Sequence, residues 1–189
     1  MLVQGRRAAL GLLAGGTLVG GLSPRPARAQ GALGRLVEEG PKPLPAITLT
    51  DPEGKERDLS HFAGKGVVLN LWATWCAPCV EEMPALDRLS ALLAEEGILV
   101  IPASSDRGGR AQVDPFFART GIRHLGPWLD PRSAAMRALG ARGLPTTILI
   151  DPQGRERARL EGGAAWDGVG LVADVRRLCG PPKPATERS

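Results

Sequence analysis

The sequence predicts a mixed α/β domain whose first half is parallel and whose second half is antiparallel. An almost continuously apolar run at residues 67–72, rich in β-branched side chains, is typical of a strand buried on both faces of a sheet. Apolar residues then recur at spacings of three and four, which predicts a helix from Cys76 or Ala77 to about Glu96. Residues 146–160 predict an antiparallel hairpin. Strands that alternate with helices, followed by a hairpin and a last helix, indicate this fold class.

Shorter sequence patterns predict the remaining strands and helices. Residues 46–50 alternate like a strand, and a turn at residues 51–54 leads into a second short strand, so we expect a β-hairpin near the N-terminus. Asp114-Pro115 begins or bends a helix that stops near Gly121, and Asp167 caps the last helix. Three further pieces are predicted, a strand at residues 98–103, a short extended piece at residues 128–130 and a short helix at residues 134–139.

The first 29 residues have the features of a secretory signal peptide. Arg6-Arg7 precedes a weakly apolar, glycine-rich run, and Ala27-Arg28-Ala29 fits a cleavage site that makes Gln30 the expected first mature residue. An uncleaved anchor is the alternative, and the paired arginines leave open export by the twin-arginine route. Beyond residues 1–29, we expect an extended lead-in at residues 30–45, one domain at residues 46–179 and a flexible tail at residues 180–189.

The positive charge of the chain belongs to this leader. The formal net charge of the whole sequence is +4, and residues 1–29 contain four arginines and no acidic residue. Without them the net charge is zero, so nothing in the remaining 160 residues indicates a nucleic acid or an acidic surface as partner. A chain of that length is sufficient for one domain with a substantial core.

Two cysteines separated by two residues define the candidate site. Cys76 and Cys79 lie at the predicted junction between the buried strand and the helix, where a dithiol can close into a small disulfide and reopen. The sequence has no second CxxC and no histidine pair to complete a zinc site, so we expect no metal and no cofactor. Cys179 is the odd cysteine. It is expected to be a small apolar residue on the last helix, with an intermolecular disulfide as the alternative.

The residues around the dithiol resemble the thioredoxin superfamily, and within it the exported TlpA/ResA-like branch. The resemblance rests on residues 70–79 (NLWATWCAPC), residues 82–84 (EMP), residues 143–147 (GLPTT) and residues 149–154 (LIDPQG). The family pattern spans roughly residues 42–179. The resemblance implies a thioredoxin-like fold, in which helices flank a central mixed sheet and a β-hairpin extends the N-terminus, and it implies a thiol–disulfide oxidoreductase.

Position and resemblance together predict the roles of three residues on the helix. Cys76 is expected at the helix N-terminus, where amide donors and the helix dipole favour a thiolate, so it is the predicted nucleophile. Cys79, one turn further in, is expected to resolve the mixed disulfide. Glu82 matches the acidic residue of ResA-like proteins and is the predicted proton acceptor for Cys79; the alternative is a glutamate that only complements the helix dipole. Asn70 stands where many relatives have a buried acid.

Trp75, Leu144 and Pro145 are the predicted docking residues. Pro145 resembles the cis-proline that lies opposite the dithiol in this superfamily. A cis bond here would leave the backbone of Leu144 open to β-pairing with a bound peptide. Trp75 is expected to cover the disulfide and to form part of the docking surface, whereas Trp72 is expected in the core.

The resemblance implies a periplasmic reductase of client disulfides. The clients it implies are apocytochrome c or copper-handling proteins, and a membrane electron donor would re-reduce the dithiol. Neither Ala77 nor Pro78 can stabilise a thiolate by charge, which favours the reducing direction. Two other classes of protein stay open. One is a copper(I)-binding module, because soft thiolates suit that metal. The other is a peroxiredoxin-like peroxidase, a class that needs a threonine at the position where this chain has Ala73. The oligomeric state is not predicted.

Overall fold

The computed structural model describes residues 34–180. The expected signal peptide and residues 181–189 of the expected tail lie outside this range. The helices are α1 (Ala77–Leu93), α2 (Arg110–Thr120), α3 (Ala134–Ala138) and α4 (Val169–Cys179). The strands are β1 (Leu36–Pro43), β2 (Thr48–Thr50), β3 (Glu56–Asp58), β4 (Gly66–Trp72), β5 (Ile98–Ser104), β6 (Trp128–Leu129), β7 (Thr146–Ile150) and β8 (Arg155–Glu161). Within residues 34–180, none of the helices combines the length and the apolarity that crossing a bilayer requires.

The strands form one mixed sheet in the order β1-β8-β7-β4-β5-β6-β2-β3. Strands β4, β5 and β6 run parallel to one another, whereas β7 and β8 pair antiparallel, β7 also with β4. The short strands β2 and β3 form an antiparallel hairpin around a turn closed by the N–H of Gly54 and the carbonyl of Asp51. The predicted class, a mixed sheet with a parallel first half and an antiparallel second half, is therefore confirmed.

Strand β4 is buried along its whole length and divides the core into two layers. Because successive side chains of a strand point to opposite faces, Val68 and Trp72 pack on one side with α1 and α4, and Leu69 and Leu71 pack on the other side with α3. Asn70 shares the face of Val68 and Trp72. The only amide side chain of the strand therefore points toward α1.

Helix α1 begins directly after the loop that follows β4. It continues through Pro84 to Leu93, and a short 3-10 turn then leads to Gly97, whose φ of 71° ends the helical segment. This agrees with the predicted extent to about Glu96. The loop between β4 and α1 is short, so both cysteines are held close to the end of this buried strand.

Three elements differ from the sequence analysis. The sequence analysis predicts only an extended lead-in before residue 46. In the structure this segment contains strand β1, which pairs antiparallel with β8 at the edge of the sheet. Charged residues, prolines and a register shift at Gly40, whose φ is 72°, hide the strand pattern and are typical of a protected edge. Helix α2 begins at Arg110, so Asp114-Pro115 lies inside the helix rather than at its start. The N-cap of α4 is Gly168 rather than Asp167, whose carboxylate accepts the side-chain N–H of Arg88 instead.

Candidate active site

Cys76 and Cys79 form a disulfide at the N-terminus of α1, with their Cα atoms 5.3 Å apart. Cys76 is the N-cap residue of the helix, and its Sγ accepts the backbone N–H of Cys79 at 3.4 Å. Cys79 is fully buried, whereas Cys76 keeps a small exposed fraction. The structure therefore holds the oxidised state of the dithiol, with the cysteine at the helix end nearer to solvent. A thiolate on Cys76 would face the amide donors of the first turn, which lower the pKa of a cysteine.

Glu82 lies one turn after Cys79 on α1, and its carboxylate is buried. One oxygen, Oε1, accepts the side-chain N–H of Asn70 at 2.9 Å. The other, Oε2, accepts the backbone N–H of Ala164 at 3.0 Å and the indole N–H of Trp166 at 2.9 Å. The carboxylate thus joins α1 to β4 and to the loop between β8 and α4.

Burial raises the pKa of Glu82 from 4.5 to about 7. Removal of the carboxylate from water is the largest cause, and it outweighs the opposing effect of the three N–H donors. Glu82 is therefore poised to gain or lose a proton near neutral pH. This is the property that a proton acceptor for a thiol requires.

A groove of about 490 Å³ opens beside the helix N-terminus. Glu82 and Pro78 line one side of it, and Leu144, Pro145 and residues 162–165 line the other. The peptide bond between Leu144 and Pro145 is cis, as the sequence analysis predicts. The structure thus places two of the predicted docking residues and Glu82 around one groove.

The two tryptophans near the dithiol have opposite environments. Trp72 is fully buried, donates its indole N–H to the carbonyl of Pro102 at 3.1 Å and stacks on Phe117, so its predicted core position is confirmed. Trp75 is 70% exposed on the loop before Cys76. It is not among the residues that line the groove, so the structure does not bring it together with Leu144 and Pro145 there.

Sequence reasoning missed Asp106, which anchors the loop before the cysteines. Its buried carboxylate accepts the backbone N–H of Thr74 at 2.8 Å, the Thr74 hydroxyl at 2.7 Å and the Ser104 hydroxyl at 2.8 Å. The position of Asp106 in the sequence could have indicated this contact. Asp106 follows the strand predicted at residues 98–103, and the carboxyl ends of neighbouring parallel strands such as this one and β4 share one edge of the sheet. Sequence reasoning also missed Trp166 as a partner of Glu82.

Cys179 lies apart from the dithiol. It is fully buried on α4 and its thiol lies 3.8 Å from the carbonyl of Val67. Burial raises the pKa of this thiol to about 12, so it stays protonated and unreactive at neutral pH. The prediction of a small buried residue on the last helix is confirmed.

The fold and the dithiol at the start of α1 are those of the thioredoxin superfamily. More specifically, the chain belongs to the Redoxin family, which it matches over residues 39–166. It is 34% identical over 118 residues to the thiol-disulfide oxidoreductase ResA of Geobacillus thermodenitrificans, a match that covers 62% of this chain and 67% of that protein. It is 35% identical over 121 residues to ResA of Bacillus thuringiensis, with coverages of 64% and 69%.

Solved structures of thiol–disulfide exchange proteins are also similar to this chain. A Chlorobium tepidum structure assigned to the thiol:disulfide interchange protein DsbE has a TM-score of 0.66 and 25% identity, and covers 76% of this chain and 100% of its own. A DsbF homologue from Corynebacterium diphtheriae has a TM-score of 0.60 and 25% identity, with coverages of 74% and 92%. The predicted resemblance to the ResA-like branch is confirmed, and the activity of the class is thiol–disulfide exchange.

The role of Asp106 in stability can be measured. Substitution Asp106→Asn replaces an acceptor of three hydrogen bonds by an amide whose N–H groups oppose the Thr74 donors, so we expect the free energy of unfolding to fall by about 3 kcal/mol. Urea denaturation of the oxidised protein measures this value. The matched control is Asp114→Asn on the surface of α2, which should change it by less than about 0.5 kcal/mol. Equal effects of the two substitutions would contradict the anchoring role.

The raised pKa of Glu82 predicts a pH-dependent stability. Between pH 4.5 and about pH 7, the folded protein binds this proton more tightly than the unfolded chain does. The free energy of unfolding should therefore be highest below this range and fall as the pH rises through it, by about 3 kcal/mol in total. Glu82→Gln should remove this contribution, and the exposed neighbour substitution Glu81→Gln should retain it. Identical pH dependence in wild type and Glu82→Gln, by urea denaturation, would refute the assignment.

Proposed function

We propose that this protein is a periplasmic reductant of client-protein disulfides that acts through Cys76 and Cys79. One observation carries the proposal: a dithiol at a helix N-terminus stands one turn from a buried carboxyl with a pKa of about 7. Both belong to the same helix, and the carboxyl also borders an open groove. Such a site can attack a disulfide and can also accept the proton that the second cysteine must lose.

The reaction begins with the reduced dithiol. The Cys76 thiolate attacks one sulfur of the client disulfide, so that a Cys76–client bond forms and the other client sulfur leaves as a thiolate. Cys79 then loses its proton to Glu82 and attacks the Cys76 sulfur. The mixed disulfide breaks, the second client sulfur leaves, and the Cys76–Cys79 disulfide forms. The client gains two electrons and the dithiol loses two, which yields the oxidised state described above.

Glu82 is suited to the proton transfer because it is both close in sequence and titrating near neutral pH. An ordinary thiol has a pKa of about 8.5, so a carboxylate whose pKa is about 7 is a much better match for it than an ordinary glutamate. Its Oε1 is held by Asn70, which cannot itself titrate. In this proposal Asn70 orients the base, although relatives often have an acid at this position.

The groove supplies a place for the client chain. Within residues 34–180, neither the backbone N–H nor the carbonyl of Leu144 takes part in a hydrogen bond to another backbone group, whereas the carbonyl of Pro145 accepts the N–H of Gly162 at 2.9 Å. An extended segment of the client can therefore pair with Leu144 and bring its disulfide to Cys76. The exposed indole of Trp75, on the loop before Cys76, offers the client a further apolar contact outside the groove.

The proposal also covers the direction of electron transfer, the cellular location and the client proteins. The absence of a charge at Ala77 and Pro78 supports reduction, because neither residue selectively stabilises the Cys76 thiolate. The features of residues 1–29 support export to the periplasm, where a membrane electron donor would restore the dithiol. The proposed clients are the cysteines of apocytochrome c or of copper-handling proteins, as the resemblance to TlpA/ResA-like proteins implies.

The order of the two cysteines can be tested by trapping. Cys79→Ser should accumulate a mixed disulfide between Cys76 and a disulfide substrate such as insulin, because the resolving thiol is lost. Non-reducing electrophoresis and mass spectrometry measure the adduct. Cys76→Ser should give none, and Cys179→Ser introduced beside Cys79→Ser should leave the adduct unchanged, since that thiol is buried. An adduct formed equally by Cys76→Ser would contradict the assignment, and one formed only by Cys76→Ser would reverse it.

The reducing direction is tested by the equilibrium potential of the dithiol. Glutathione or dithiothreitol buffers, with tryptophan fluorescence as the signal, should give a value near that of thioredoxin, about −270 mV. A value near about −120 mV would make the protein a disulfide donor and would refute the reducing direction. The nucleophile and the fold would be unaffected by that result.

A further inference from the structure

The indole of Trp166 makes a hydrogen bond that the packing of its ring does not require. Trp166 is fully buried at the end of the loop between β8 and α4, and its N–H points at Oε2 of Glu82 at 2.9 Å. Ala164, two residues earlier in the same loop, donates its backbone N–H to the same oxygen. A loop about 80 residues away in sequence thus supplies both donors to one oxygen of the proposed base.

All the partners of the Glu82 carboxylate are donors. Asn70 donates to Oε1, and Ala164 and Trp166 donate to Oε2. Among the described residues, no side chain or backbone carbonyl forms a hydrogen bond in which it could accept a proton carried by Glu82. Hydrogen bonds from these donors favour the ionised carboxylate, so they lower the pKa of Glu82 and oppose the increase in pKa that burial causes.

The charged groups around Glu82 do not add to the effect of these donors. Glu81, Arg88 and Asp167 line the same groove, and Arg88 and Asp167 form an ion pair at 2.7 Å. The strands behind Glu82 contribute only neutral groups, since Asn70 of β4 donates to it and to Thr147 of β7. The dithiol is the other titrating group at this helix end. The hydrogen bonds, rather than a nearby charge, therefore counteract the desolvation of the carboxylate.

We propose that Trp166 is a positioning residue for the thiol–disulfide exchange, whose indole N–H fixes Oε2 of Glu82 and favours the ionised form of this base. The inference rests on the proposed function, in which Glu82 must be ionised to take the proton of Cys79. Since Ala164 lies in the wall of the groove, the same loop both shapes the client site and holds the base. Docking and proton transfer then share one structural element.

The test is a titration of Glu82 itself. Trp166→Phe keeps an aromatic ring but removes the donor, and benzothienylalanine at position 166 replaces the N–H by sulfur at nearly constant volume. Carbon-13 NMR of the Glu82 carboxyl, assigned by its absence in Glu82→Gln, should show a pKa raised by about one unit in both proteins. The acidic limb of the pH profile of insulin reduction should move to higher pH by the same amount.

Trp128→Phe is the matched control, because this half-buried tryptophan on β6 contacts Phe62 and lies apart from the groove. It should shift neither the Glu82 titration nor the pH profile. A Glu82 titration that is unchanged in both proteins altered at position 166 would overturn the inference. If that titration shifts while the pH profile of wild type matches that of Glu82→Gln, the effect of Trp166 on Glu82 stands and the proposed catalytic use of Glu82 fails.

Discussion

The buried carboxylate of Glu82 is the group around which the active site is arranged. Its hydrogen bonds join three parts of the chain that are distant in sequence, because α1 carries the carboxylate, β4 supplies Asn70, and the β8–α4 loop supplies Ala164 and Trp166. An ionisable group inside the protein destabilises the fold unless such bonds are made. Satisfying them requires the helix, the central strand and the wall of the groove to keep one relative position.

The burial of the Glu82 carboxylate affects both the stability of the fold and the pKa of this group. A hydrophobic residue in place of Glu82 would avoid the desolvation of a charge, but it could not exchange a proton with a thiol. The three N–H donors offset part of the desolvation, and the balance leaves the pKa of Glu82 at about 7. The site therefore combines a carboxyl group that titrates near neutral pH with a local cost in stability, as is common at functional sites.

A second buried carboxylate holds the other end of the dithiol loop. Asp106 accepts the backbone N–H and the hydroxyl of Thr74, while Glu82 is fixed one turn beyond Cys79. The segment with both cysteines is thus anchored on each side by groups from other elements. Trp75 lies between the two anchors and stays exposed.

Local patterns in the sequence determined the buried strand β4, the amphipathic helix α1 and the dithiol at their junction, because each depends on residues close together in the chain. The cis bond before Pro145 was expected from the resemblance to the thioredoxin superfamily. Only the tertiary structure decided the partners of Glu82, the anchoring by Asp106 and the pairing of β1 with β8. Trp166 is 84 residues from Glu82, and Asp106 is 32 residues from Thr74. Periodicity and spacing carry no information about which side chains meet across such separations, since sheet order and loop packing bring them together.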